Sequence, residues 1–237
     1  MCNKNRKCAD DINGSSLTSC TASGRGAVRD SQVVNLRNPY GGGLKIGTWN
    51  VRSMTKPEKI ENIKMEMERY MISILAITET RWKENSDITT HGYRLIYSGG
   101  SQCQRGVGKT LNKQAAKNVK EVDTISDRLL IVRLAADPVD LNIIMVYMQT
   151  SAYGDQGIED VYDQIEEEIN NLPSKEYTVL LGDMNAVVGE GREGSLVGEH
   201  GLGKRNERGR MLIDFCSRNK LCIMNTWFKN PERRKCT

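Results

Sequence analysis

The chain has 237 residues, 38% hydrophobic and 27% charged, enough for one soluble domain of ordinary size with a core of its own. The formal charge is only +4, from 34 Lys and Arg against 30 Asp and Glu, so overall charge gives little reason to expect nucleic acid. No stretch approaches the ~18 consecutive apolar residues of a membrane helix, and the polar N-terminus lacks the apolar segment of a signal peptide. No membrane association is expected, and a nuclear or cytoplasmic location is.

Residues 1–43 are rich in Ser, Gly, Asn and Lys, lack periodicity, and end in Asn38-Pro39-Tyr40-Gly41-Gly42-Gly43, which breaks regular structure. They read as a disordered or linker tail. Six Lys and Arg against three Asp and Glu make this tail the basic part of the chain.

From Leu44 the pattern sharpens, with Leu44–Val51 reading as a strand. Thr55-Lys56-Pro57-Glu58 has capping-box spacing, and Ile60, Ile63, Met67 and Tyr70 follow at helical intervals. Ile72–Ile77 is almost entirely apolar, as in a strand buried on both faces. Further strands are expected at Tyr93–Tyr97, Gly106–Leu111, Leu129–Leu134 and Leu141–Met148. A second helix carries Ile158, Val161, Ile165, Ile169 and Leu172 on one stripe and stops at Pro173. Tyr177–Leu181 is a strand running into Gly182-Asp183-Met184-Asn185. Asn206 is placed to cap a third helix with Met211, Leu212, Phe215 and Cys216 inward, and Leu221–Met224 is the last strand. The sum is an α/β domain of about eight strands and three helices. Seven cysteines, Cys2, Cys8, Cys20, Cys103, Cys216, Cys222 and Cys236, show no C-x-x-C pair and read as reduced thiols.

Four polar clusters sit where expected strands stop: Thr48-Trp49-Asn50, Thr78-Glu79-Thr80, Tyr147, and Gly182-Asp183-Met184-Asn185. Strand ends are where a rigid sheet can hold side chains convergently. Each cluster alone is also ordinary turn chemistry. Taken in order, Leu44-Lys45-Ile46-Gly47-Thr48-Trp49-Asn50-Val51, Ile77-Thr78-Glu79-Thr80, Val146-Tyr147 and Leu180-Leu181-Gly182-Asp183-Met184-Asn185 resemble the successive motifs of the endonuclease/exonuclease/phosphatase superfamily. Arg205-Asn206-Glu207-Arg208-Gly209 ahead of a helix resembles its retrotransposon-derived branch, which includes craniofacial development protein 2-like sequences.

The resemblance implies a four-layer α/β sandwich, two face-to-face mixed sheets flanked by helices. It implies Mg²⁺, or Mn²⁺, held by Glu79 with Asn50 beside it; Mg²⁺ suits hard oxygen ligands. Asp183 would orient and deprotonate the attacking water, Asn185 would hold that water or a phosphate oxygen, and Tyr147 would donate to the scissile phosphate. The reaction implied is hydrolysis of nucleic-acid phosphodiesters, with DNA the expected substrate. Arg52, Arg81 and Lys83 are candidates for contact with its backbone, whereas Trp82 and Trp227 read as core residues. Relatives carry a further Ile-Asp-Tyr and a Ser-Asp-His triplet whose histidine meets the phosphate. Neither occurs in these residues, so 44–237 reads as an incomplete domain lacking C-terminal strands, and its activity is in question. His91 and His200 lie in turns, and Ser126-Asp127-Arg128 reads as a turn into the next strand.

Two other functions compete. A catalytically dead remnant that binds nucleic acid or protein would follow from the missing triplet. A P-loop nucleotidase is suggested by Gly106-Val107-Gly108-Lys109-Thr110, although Cys103 stands where that motif needs its first glycine.

Overall fold

Short β-branched runs bounded by turn residues fold here as strands, and the two long amphipathic segments fold as the crossovers that join parallel ones. The computed structural model describes residues 44–100, 106–149 and 156–229, with two short strands before them. In chain order the elements are β1 (Thr21–Ser23), β2 (Asn35–Leu36), β3 (Ile46–Asn50), α1 (Pro57–Arg69), β4 (Ile74–Thr78), β5 (Ser86–Thr90), β6 (Tyr93–Ser98) and β7 (Val107–Leu111). Then come α2 (Lys113–Lys117), β8 (Val119–Thr124), β9 (Leu129–Leu134), β10 (Ala136–Asp137), β11 (Leu141–Tyr147), α3 (Gln156–Asn171), β12 (Tyr177–Asp183), α4 (Glu207–Arg218) and β13 (Cys222–Ile223).

Two mixed sheets form, ordered β3-β4-β7-β6-β5 and β13-β1-β12-β11-β9-β8, with β10 and β2 as a separate pair. Each large sheet holds one parallel pair, β3 with β4 and β11 with β12, joined by α1 and α3 respectively. Ile74, Ala76, Ile96 and Leu111 of the first sheet pack on Val132, Ile143, Met145 and Leu181 of the second to make the central core. The outer face of the first sheet, with Leu75 and Ile77, is covered by Ile63 and Met67 of α1. The other outer face, with Ile144 and Leu180, is covered by Ile158 and Ile165 of α3 and by Leu212 and Phe215 of α4. Each fully buried aliphatic side chain contributes about 1.5–3 kcal/mol. The result is the four-layer α/β sandwich, and among the described residues no helix is long and apolar enough to cross a membrane.

Several sequence expectations are corrected. Thr55 does not cap α1: the N-cap is Lys56, without a side-chain bond, because Thr55 Oγ1 instead meets Ser53 Oγ at 3.0 Å. Pro57 at the first position has no N–H to be capped. The segment read as an unstructured tail contributes β1, between β12 and β13, and β2. Backbone pairing needs no apolar pattern, so sequence periodicity does not reveal it; the rest of 1–43 lies outside the described residues. Polar β5 and β8 and the short α2 also escape pattern reading, and Met224–Thr226 is a 3-10 turn rather than strand. Asn206 does cap α4, accepting from the Gly209 N–H at 2.8 Å. Cys216 is a free, buried thiol and Cys222 a free, half-buried one; the remaining cysteines lie outside the described residues.

The P-loop reading fails on the fold. Gly106–Thr110 is not a loop ahead of a helix: Val107–Leu111 is β7, paired on both edges with β4 and β6. Lys109 lies opposite Ala76 and Ile96 and is completely buried between the sheets, its Nζ donating to the Ile143 carbonyl at 3.3 Å. Burial drives this amine well below the ordinary lysine range. The unfolded chain therefore takes up the proton first. Stability is highest above the unfolded value near 10.5 and is lost as pH falls from there towards the folded one. Lys109→Met keeps the length and removes the amine. It should raise unfolding free energy at pH 7 by on the order of 1–3 kcal/mol and flatten the rise in stability between pH 7 and 10, as read by denaturant unfolding. A variant no more stable than the parent would contradict the assignment.

Candidate active site

The site is assembled by the carboxyl ends of the two parallel strand pairs. In register, Asn50 at the end of β3 lies beside Thr78 at the end of β4, and Tyr147 at the end of β11 lies beside Asp183 at the end of β12. Crevices outside the carboxyl ends of parallel strands are where open α/β sheets bind ligands. Here two such ends, one per sheet, face each other. Asn50 Nδ2 donates to Glu79 Oε1 at 2.8 Å and to Asp183 Oδ2 at 3.1 Å, so one amide joins carboxylates from both sheets. Tyr147 donates its hydroxyl to Glu79 Oε1 at 3.3 Å. Asn185 closes the group: its N–H donates to Asp183 Oδ1 at 3.0 Å and its Nδ2 to the Met148 carbonyl at 2.7 Å.

The backbone is bent to present these groups. Glu79 has φ 59°, Arg81 φ 59° and Asn185 φ 45°, left-handed conformations that cost non-glycine residues of order 1–3 kcal/mol each. They turn the chain out of line just past the ends of β4 and β12. Gly182, at φ 135°, sits where a side chain has no room, since a Cβ there would lie 1.8 Å from the Val146 carbonyl oxygen of the neighbouring strand. The loop beyond is anchored by the Arg205–Gly209 segment. The Asn206 side chain accepts from the Val187 N–H at 3.1 Å as well as capping α4, and Arg205 Nε donates to the Val188 carbonyl at 2.9 Å.

The electrostatics are acidic and guarded. Asp183 is buried, and the Glu79 side chain is 19% exposed with Arg81 Nη2 at 3.5 Å from its Oε2. The Tyr147 phenol is pushed up to about 12 by burial, then by the nearby Glu79 and Asp183 charges. It therefore stays an O–H donor at neutral pH. The donor set is all hard oxygen, without histidine or cysteine, which fits a Mg²⁺-like ion that takes one or two carboxylates and retains water. Among the described residues no three His, Cys, Asp or Glu side chains cluster as a ready-made cage. Asn50 turns its nitrogen to the carboxylates because its Oδ1 accepts the Arg52 N–H at 3.1 Å. In this orientation it braces the carboxylates, and ligation through its oxygen would need the amide turned over.

The basic candidates Arg52, Arg81 and Lys83 are exposed on two adjoining loops. These loops are fastened together by Val51 N–H to the Thr78 carbonyl at 3.1 Å, Met54 N–H to the Thr80 carbonyl at 2.9 Å, and Trp82 Nε1 to the Met54 carbonyl at 3.1 Å. Trp82 packs on Tyr97 with ring centroids 4.1 Å apart, as a core-facing residue does. Trp227 is half-buried, with the Arg192 guanidinium 5.3 Å over its ring. His91 sits at the other end of the first sheet, at Lys64 Nζ and Thr90 Oγ1, and the His200 N–H donates to the Thr226 carbonyl. One neighbour escaped sequence reading: Arg128, in the turn before β9, is buried against Tyr147. Nothing in Ser126-Asp127-Arg128 signals that placement, which depends on pairing between β9 and β11.

Craniofacial development protein 2 of Bos taurus is 37% identical over 194 residues, and that of Tragulus javanicus 36% over the same length. Each match covers 81% of this chain, which spans about a third of the curated relatives it matches, 32% and 33% of their lengths. The fold matches an AP endonuclease from Leishmania major with TM-score 0.55 and 15% identity, over 74% of this chain and 66% of that one. The model of the Endonuclease/Exonuclease/phosphatase family matches residues 47–197, a span that starts within β3 and takes in all five converging side chains. With more than half of its length matched by that model, the chain belongs to the endonuclease/exonuclease/phosphatase family.

Proposed function

We propose that this chain hydrolyses phosphodiester bonds in nucleic acid, DNA in the first instance, with a Mg²⁺ or Mn²⁺ ion held at Glu79. The observation that carries the reading is the single amide of Asn50 gathering Glu79 and Asp183 from opposite sheets, with the Tyr147 hydroxyl on the same carboxylate. Hydrolysis needs an in-line water, neutralised phosphoryl oxygens and a stabilised leaving oxygen. Asp183, its carboxylate oriented by the Asn185 N–H and Asn50 Nδ2, positions the water and takes its proton. Tyr147, protonated throughout the physiological range, redirects its hydroxyl from Glu79 to a phosphate oxygen. Asn185 lies beside the water position. The ion, when bound, neutralises charge developing on the phosphoryl oxygens. Arg52, Arg81 and Lys83 contact the nucleic-acid backbone, positioning the strand without reading its sequence.

A second reading, binding of nucleic acid or protein without turnover, is favoured by His91, whose Nδ1 meets Lys64 Nζ and Thr90 Oγ1 at the end of the first sheet away from Asn50. A nicking assay on supercoiled DNA, with and without abasic sites, separates the two. Wild type should nick in Mg²⁺ and stop in chelator, while Glu79→Gln and Asp183→Asn should each lose activity by on the order of 100-fold or more. Retarded DNA with equal inertness in wild type and both variants would establish the second reading.

The cation's place can be tested without turnover. Asn50→Asp sets a third carboxylate between Glu79 and Asp183, so in chelator its melting temperature should fall below that of wild type, by several degrees for each ~1–2 kcal/mol of repulsion. Millimolar Mg²⁺ should restore more stability to Asn50→Asp than it adds to wild type. Equal Mg²⁺ responses in calorimetry would argue against a cation between these groups.

A further inference from the structure

We infer that Arg128 is a positioning residue that fixes the Tyr147 hydroxyl on the catalytic side, gripping Tyr147 from backbone and ring together. The inference rests on the function proposed above, but its geometry stands apart from it. Arg128 is a buried arginine, 7% exposed, at the mouth of β9. A cation so placed needs partners close at hand. Its Nη1 donates to the Tyr147 carbonyl at 3.3 Å, and its own carbonyl accepts the Tyr147 N–H at 3.0 Å, so the two residues hold each other's backbone in both directions. The guanidinium carbon also lies 5.8 Å from the centroid of the Tyr147 ring, within the reach of a cation–π contact.

The turn that carries Arg128 is itself braced. The Ser126 and Ile125 N–H groups both donate to the Leu129 carbonyl, and the Arg128 N–H donates to Ser126 Oγ at 3.3 Å. Ser98, fully buried on β6 of the other sheet, donates to the Ser126 carbonyl at 2.5 Å. The support of Tyr147 thus reaches across the sandwich, parallel to the Asn50 bridge. The Tyr147 ring has its hydroxyl 3.3 Å from Glu79, and a ring that swings on its Cα–Cβ bond loses that bond first. A guanidinium fixed at the backbone and against the ring restricts the swing. Its planar fork and weak hydration suit a buried, stacked cation better than an ammonium would.

The test uses the whole chain. Arg128→Met keeps the length of the stem and removes the guanidinium. Steady-state nicking should show kcat reduced on the order of 10-fold or more with KM changed little, because misplacing one donor harms the transition state and not substrate binding. The effect should vanish in the Tyr147→Phe background, where no hydroxyl remains to be placed; multiplying losses in Arg128→Met/Tyr147→Phe, or a rise in KM alone, would overturn the role. The crystal structure of Arg128→Met gives a readout free of activity. The Tyr147 hydroxyl should leave Glu79 while β9 and β11 keep their pairing, and an undisturbed Tyr147–Glu79 bond would refute the proposal even if the chain proves inert on DNA. A displaced hydroxyl in an inert chain would instead support the positioning role and count against hydrolysis.

Discussion

One side-chain amide meets two carboxylates that belong to different sheets. Asn50 ends an edge strand of the first sheet and donates simultaneously to Glu79, beyond the neighbouring strand, and to Asp183, at the end of a strand in the second. The apolar core fixes the separation of the sheets, but apolar packing is non-directional and sets no hydrogen-bond geometry. The amide supplies that geometry. Two carboxylates held close repel each other, and an amide nitrogen with two protons, one for each, lessens that cost.

Around this bridge the structure gives up stability. Left-handed backbone at Glu79, Arg81 and Asn185, and a glycine pressed on a carbonyl at 182, concentrate strain beyond the ends of β4 and β12. The two β-α-β units are regular elsewhere, with β4 and β11 buried along their whole length. A scaffold that rigid can hold a strained loop in place. The buried amine of Lys109 is a separate cost, placed in the core between the sheets and donating to the Ile143 carbonyl.

What could be read from the residues alone divides along physical lines. Strands buried on both faces, such as Ile74–Thr78 and Leu141–Tyr147, announce themselves because burial on both faces favours a nearly continuous apolar run. The two long helices show their stripes for the same reason. The candidate site was legible because its residues stand where apolar runs stop, and their order matched a family. Edge strands β5 and β8 were not legible, since exposed faces tolerate any polar residue. Thr55 shows the limit of local patterns: its capping spacing is correct, yet Ser53 offers its hydroxyl a nearer partner. Arg128 shows the limit of linear reading altogether, because its meaning comes from strand pairing with Tyr147, nineteen positions away.

Under the proposed function, Glu79 and Asp183 flank one cation position. Anomalous diffraction from crystals soaked in Mn²⁺ addresses it most directly. A single strong peak within coordination distance of a Glu79 carboxylate oxygen, ~2.0–2.3 Å, and adjoining the Asp183 carboxylate is expected. A peak bound elsewhere with Glu79 bare, or no peak at saturating Mn²⁺, would contradict it.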